Sequence, residues 1–120
     1  LINGEVQPYL GELRMTEHIV VFVTTAGSED AERIARALLE ARQAACCNII
    51  AGVRSLYHWQ EKIADDQEVL LVIKSRAELF EQIKGTVTAL HRYAVPEIIA
   101  LPITAGSENY LKWINESVAF

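Results

Sequence analysis

The side chains best suited to hold a soft metal ion are Cys46, Cys47, His58 and His91, with His18 further back in the chain. Thiolate and imidazole together suit copper or zinc. Cys46 and Cys47 are adjacent, however, and lack the two-residue gap by which a zinc knuckle brings both thiolates to one ion. In extended backbone their side chains point to opposite faces. For either cysteine the competing role is that of a small buried hydrophobe. For His58 it is a surface position near a hairpin tip, and for His91, at the end of a helical pattern, it is that of a cation facing the helix dipole. A second group, Tyr57, Trp59, Tyr93 and Glu97, supplies rings with polar tips and a carboxylate. These can line a cleft between subunits or simply pack. Lys74 closes the apolar run from Val69 to Ile73, and a buried lysine needs a partner, for which Glu68 and Glu97 are the candidates.

None of these residues forms a recognised catalytic pattern. There is no Gly-rich phosphate loop, nucleophile elbow, carboxylate pair on one helix turn or HExxH, so the expectation is a binding or regulatory protein rather than an enzyme. The formal charge of -5, from 16 acidic and 11 basic residues without a basic cluster, argues against nucleic acid as a partner and permits cations. No apolar run approaches the ~20 residues needed to cross a bilayer, and neither export nor membrane insertion is expected. The two cysteines make no disulfide framework, which points to a reducing, cytoplasmic location.

The elements that must position these residues follow from periodicity. Leu1 to Arg14 has no sustained period and reads as an N-terminal extension, either sequence appended upstream of Met15 as the natural start or a genuine tail, with residues 15–120 as one domain. Residues 18–25 read as a buried strand. Ala26-Gly27-Ser28 then turns into a helix capped by Ser28 and running to about Arg42. Residues 46–59 are compatible with one strand interrupted only by Gly52. At ~3.3 Å per residue this strand reaches roughly 46 Å, longer than the ~40 Å diameter of a compact chain of this size. Gln60-Glu61-Lys62 reverses it, and residues 63–74 return antiparallel.

Ser75-Arg76-Ala77-Glu78 reads as a capping box opening a second helix that frays near His91-Arg92-Tyr93. Residues 96–103 form a last strand, at an edge because of Pro96 and Pro102. A third helix, capped at Ser107, runs over residues 108–118. The fold class is therefore α+β: a ferredoxin-like split βαβ-βαβ with an added C-terminal helix and a long β2–β3 hairpin. Mixed strand directions, both long helices on one face and an uncovered opposite face are expected with it. A hairpin longer than its own globule and an open apolar face both call for a second copy of the chain.

Several spaced segments also closely resemble the CutA family, the divalent-cation tolerance proteins. They are Ala44-Ala-Cys-Cys-Asn-Ile49, Ser55-Leu-Tyr-His-Trp59, Glu61-Lys-Ile63, Asp66-Gln-Glu-Val69, His91-Arg-Tyr-Ala-Val-Pro-Glu-Ile-Ile99 and Tyr110-Leu-Lys-Trp113. The resemblance covers residue 19 to about residue 118. It implies a ferredoxin-like subunit in a tight homotrimer, cytoplasmic, and linked to tolerance of copper and other divalent cations. It also implies that His91 and Cys46 match the family's metal-associated histidine and its conserved-motif cysteine, and it ranks His91 ahead of Cys46. Cys47 stands where valine is usual, while Val23 and Leu90 occupy places where some bacterial members carry a cysteine and a second histidine. The competing reading is a small-molecule sensing module resembling the trimeric nitrogen-regulatory proteins, with a cleft between subunits formed by Tyr57, Trp59, Lys74, Tyr93 and Glu97.

Overall fold

The computed structural model describes residues 17–119, so the expected extension over Leu1 to Arg14 and the start at Met15 lie outside the described residues. In chain order the elements are β1 (His18–Thr25), α1 (Ser28–Glu40), β2 (Cys46–Trp59), β3 (Lys62–Arg76), a 3-10 turn (Ala77–Leu79), α2 (Phe80–Leu90), β4 (Ile99–Pro102) and α3 (Glu108–Ser117). The sheet has the order β2-β3-β1-β4, with the first strand of each βαβ unit at the centre and its second strand at an edge. Every neighbouring pair is antiparallel, which corrects the expectation of mixed directions. Each helical crossover joins two strands of the same direction, but the central strand of the other unit is inserted between them. The edge position expected for β4 is observed.

Alternation divides the strands into two sets. Val21 and Val23 of β1 and Leu71 and Ile73 of β3 are fully buried, and they form one core with Ile34 and Leu38 of α1 and Ile83 and Val87 of α2. The opposite set, related by register, comprises Val20 and Phe22, Leu70, Val72 and Lys74, Cys46, Asn48 and Ile50, and Ile99 and Leu101. Ile50, Ile99 and Leu101 keep about half of their surface exposed, at 46%, 51% and 50%. This face is not wholly open as expected, because α3 crosses its end. There the His18 ring donates from Nε2 to Asn115 Oδ1 (2.9 Å) and Leu111 O (3.2 Å), and Arg76 Nη1 donates to the same Asn115 oxygen at 2.8 Å.

Two expected caps are also corrected. Gly27, not Ser28, is the N-cap of α1, in extended backbone, and it is tied by Thr25 Oγ1 donating to its carbonyl at 2.9 Å. Ser75 opens no capping box. It stays in β3 opposite Ile19 and donates from Oγ to Gln43 O at 2.6 Å, because β1 offers ladder partners as far as Arg76 and the ladder wins over a local side-chain bond. Ser107 does cap α3, its Oγ accepting from Tyr110 N at 3.2 Å.

The long hairpin is present with the expected 14-residue β2. Its reversal is two residues rather than three: Trp59 pairs with Lys62, and Gln60 and Glu61 take the left-handed φ values of 49° and 63° that a tight hairpin of native twist requires. At Gly52 the register steps from Ile50↔Leu70 to Val53↔Glu68, so Ala51 and Gly52 oppose a single residue; glycine accepts the φ of 82° at this bulge without Cβ strain. Beyond the last β1 pair, Thr25↔Val69, the two strands have only each other. They form an arm, and the radius of gyration rises to 16.3 Å against about 13 Å for a compact chain of about a hundred residues.

Candidate functional site

The segment that follows α2 is where the chain gathers its polar chemistry. His91, Arg92 and Tyr93 each bind a different element. His91 donates from Nε2 to Thr24 O of β1 at 2.7 Å, Arg92 Nε reaches Asp30 Oδ1 of α1 at 3.0 Å, and the Tyr93 hydroxyl donates to Glu68 Oε2 of β3 at 2.8 Å. The helix ends where expected, but the residues after it are pinned rather than frayed. Asp30 is buried and also accepts from Arg33 at 3.1 Å, so one carboxylate joins two arginines at the start of α1.

His91 is more committed than its sequence position suggests. Its Nδ1 accepts the Tyr93 N–H at 3.0 Å, and its ring lies 4.7 Å from that of Tyr93. An imidazole that donates from Nε2 and accepts at Nδ1 is neutral, which corrects the alternative of a helix-end cation. Neither nitrogen offers a lone pair to a metal without losing one of these bonds.

Cys46 is half-buried on the face opposite α1 and α2, opposite Lys74 in register, with its Sγ 3.9 Å from Asn48 Oδ1. Cys47 turns to the helix side, and burial pushes its thiol up to about 12. It is a packed core thiol. By register Thr24, which holds His91, lies four residues along β1 from Val20, whose β3 partner Lys74 faces Cys46. That is roughly 13 Å along the strand before the sheet is crossed, so His91 and Cys46 of one chain do not share an ion. Among the described residues no three His, Cys, Asp or Glu side chains converge as a metal centre.

Lys74 departs from its expected partners. Its ammonium donates to the Asn48 carboxamide, while Glu68 bonds Tyr93 and Glu97 is exposed in the segment before β4. Of the five proposed cleft residues, the chain brings Tyr57 and Tyr93 together on one face of the arm. There the Tyr57 hydroxyl donates to Asp66 Oδ2, and Asp66 and Glu68 share this patch with the two phenols. Trp59 stands at the arm tip, 61% exposed, with Lys74 and Glu97 on separate elements. His58 lies on the arm, opposite Ile63. Sequence reasoning missed Asp66 and Asn48. Once Trp59 is paired with Lys62, the register puts Asp66 opposite Ser55 and on the Tyr57 face, so the signal lay in the length of the turn.

Burial and then Glu68 raise the Tyr93 phenol from 10.0 to about 12. Because the raised group is neutral when protonated, the stability it adds is present below pH ~10 and is lost as pH rises from ~10 to ~12. Spectroscopic titration should therefore show a tyrosine ionising near the top of this window and moving down in Glu68→Gln. Ionisation of every tyrosine near the ordinary value would contradict this.

Placed beside known proteins, the fold has a clear counterpart. The profile described as CutA1 divalent ion tolerance protein matches residues 19–117. The chain belongs to the CutA1 family. The divalent-cation tolerance protein CutA of Thermus thermophilus is 48% identical over 98 residues, which are 82% of this chain and 95% of that relative. The chloroplastic CutA protein of Arabidopsis thaliana is 46% identical over 99 residues, with 82% of this chain covered but only 54% of the longer plant protein. The solved structure of the Thermus thermophilus protein superimposes with a TM-score of 0.83 at 46% identity, covering 85% of this chain and 99% of that one. The ferredoxin-like CutA1 fold is thereby established, hairpin included. No helix among the described residues is long and apolar enough to cross a membrane.

Proposed function

We propose that this CutA1 chain acts without catalysis, as a cytoplasmic homotrimer that binds copper and other divalent cations weakly, and that this binding underlies its part in cation tolerance. The observation that carries the reading is the arm. Its two faces expose Tyr57 and Trp59 on one side and Leu56 and Ile63 on the other, at 41%, 61%, 62% and 70%. A two-stranded ribbon with apolar side chains on both faces gains stability only by lying on another surface. A trimer built on arms and sheet faces meets that need. Two unpaired cysteines suit a reducing compartment.

Weak binding is supported by the scatter of ligands within one chain. Cys46 offers a thiol, and His91 offers a nitrogen only at the expense of its bond to Thr24 or Tyr93, which reverses their order as ligands relative to the sequence-based ranking. The trimer supplies further ligands from neighbouring copies or water. Copper titration under reducing conditions tests this: affinity is expected to fall at least about tenfold in Cys46→Ser and less in His91→Ala, a tenfold loss being ~1.4 kcal/mol. Equal affinity in the wild type and Cys46→Ser contradicts the assignment. The patch of Tyr57, Tyr93, Asp66 and Glu68 favours the second reading, a polar cleft for a small molecule along one face of the arm.

A further inference from the structure

Between Arg76, which lies under α3, and the arm, Lys74 is the only basic side chain on the sheet face opposite α1 and α2, among the described residues. Around it are Val20, Val72 and Cys46, and its ammonium bonds the neutral Asn48 carboxamide. None of the ion pairs among the described residues uses it. In the single chain water completes its shell. Once a second subunit covers the face, that water leaves, and a cation with one neutral acceptor is strongly disfavoured. The covering surface must therefore bring a negative charge.

On the arm, the strand carboxylates are already engaged: Asp65 with Arg54, Asp66 with Tyr57 and Glu68 with Tyr93. Glu97 is different. It is exposed, it has no hydrogen bond or ion pair among the described residues, and it sits beside the free edge of β4 between Val95 and Ile99, which are 89% and 51% exposed. Its own Lys74 is out of reach. Ile99 pairs with Phe22, so Glu97 falls level with Thr24 and Leu70, and Lys74 lies four residues further along β3, roughly 13 Å away, turned towards β2. Lys74 thus lies next to one edge strand and Glu97 next to the other. Contacts between unlike edges, repeated around a cyclic axis, close a ring.

We infer that in the trimer Lys74 of one copy pairs with Glu97 of the next, so that three such ion pairs close the assembly. This rests on the trimeric reading above. The test compares the full-length wild type, Lys74→Glu, Glu97→Lys and the double exchange by native mass measurement over serial dilution. Each single reversal is expected to raise the dissociation concentration at least about tenfold through like-charge contact, and the double exchange to bring it back within about threefold of the wild type. A double exchange no better than the weaker single variant overturns the pairing, as do single variants equal to the wild type. Rescue of Lys74→Glu by Glu61→Lys at the arm tip would instead overturn the choice of Glu97. Should Lys74→Glu fail to fold, the neutral changes Lys74→Met and Glu97→Gln replace it. Coupled residues then lose no more together than singly, and additive losses overturn the pairing. A monomeric wild type defeats the trimeric reading itself, whereas a trimeric wild type with a failed exchange defeats only the ion pair.

Discussion

Leu71→Ala is expected to lower the stability of the fold by about 3–4 kcal/mol. Leu71 is fully buried on a central strand of the sheet, on the face that packs against α1 and α2, and its cross-strand partners are Val23 and Ile49. Truncation there removes the transfer energy of the lost carbons and leaves a cavity between two β-branched neighbours that have little rotamer freedom to fill it. Urea denaturation of wild type and variant at equal chain concentration measures the loss. A cost below about 1 kcal/mol would mean that the site collapses freely and that the sheet–helix core is not close-packed there.

Trp59→Ala has the other large expected effect, and it acts on assembly rather than on the isolated fold. Trp59 is 61% exposed in the single chain, so an isolated subunit would lose little by its removal. If the indole fills a pocket on a neighbour, the same substitution costs about 3–5 kcal/mol, as for a buried large aromatic. That corresponds to more than a hundredfold in the dissociation constant. Far-ultraviolet circular dichroism should stay unchanged while the variant dissociates on dilution. A variant that stays assembled across the same dilution would place the indole on an outer surface.

The parts of this protein that were legible in its sequence are those governed by local pattern. The apolar alternation of His18–Thr25, the helical stripe of α1 and the β-compatible run of Cys46–Trp59, broken only at Gly52, each give the observed element, and Ser107 caps the helix it precedes. Ser28 and Ser75 show where local reading fails. Both carry the chemistry of a cap, but the first is already inside α1 and the second is held by ladder pairs and a bond to Gln43 from elsewhere in the chain. The missed Asp66 follows from one turn residue. Counting Lys62 in the turn shifts the register by one, and a slip of one residue moves every side chain of the returning strand to the other face.

The candidate site was legible as residue types and not as contacts. The His91 bonds go to the Thr24 carbonyl and the Tyr93 amide, and backbone groups leave no mark in a sequence. Lys74 reads as a residue that needs a partner, with Glu68 and Glu97 as the candidates, yet its bond to Asn48 depends on which side of β3 the neighbouring strand lies. The likeness of spaced motifs to the CutA family supplied what periodicity could not, namely that these scattered segments belong to one known arrangement.

If the arm binds other copies of the chain, sedimentation equilibrium of the full chain at micromolar concentration shows a single species of three times 13.4 kDa, 40.2 kDa. A species of 13.4 kDa at that concentration would contradict it, because the exposed arm would then be stable in water by itself.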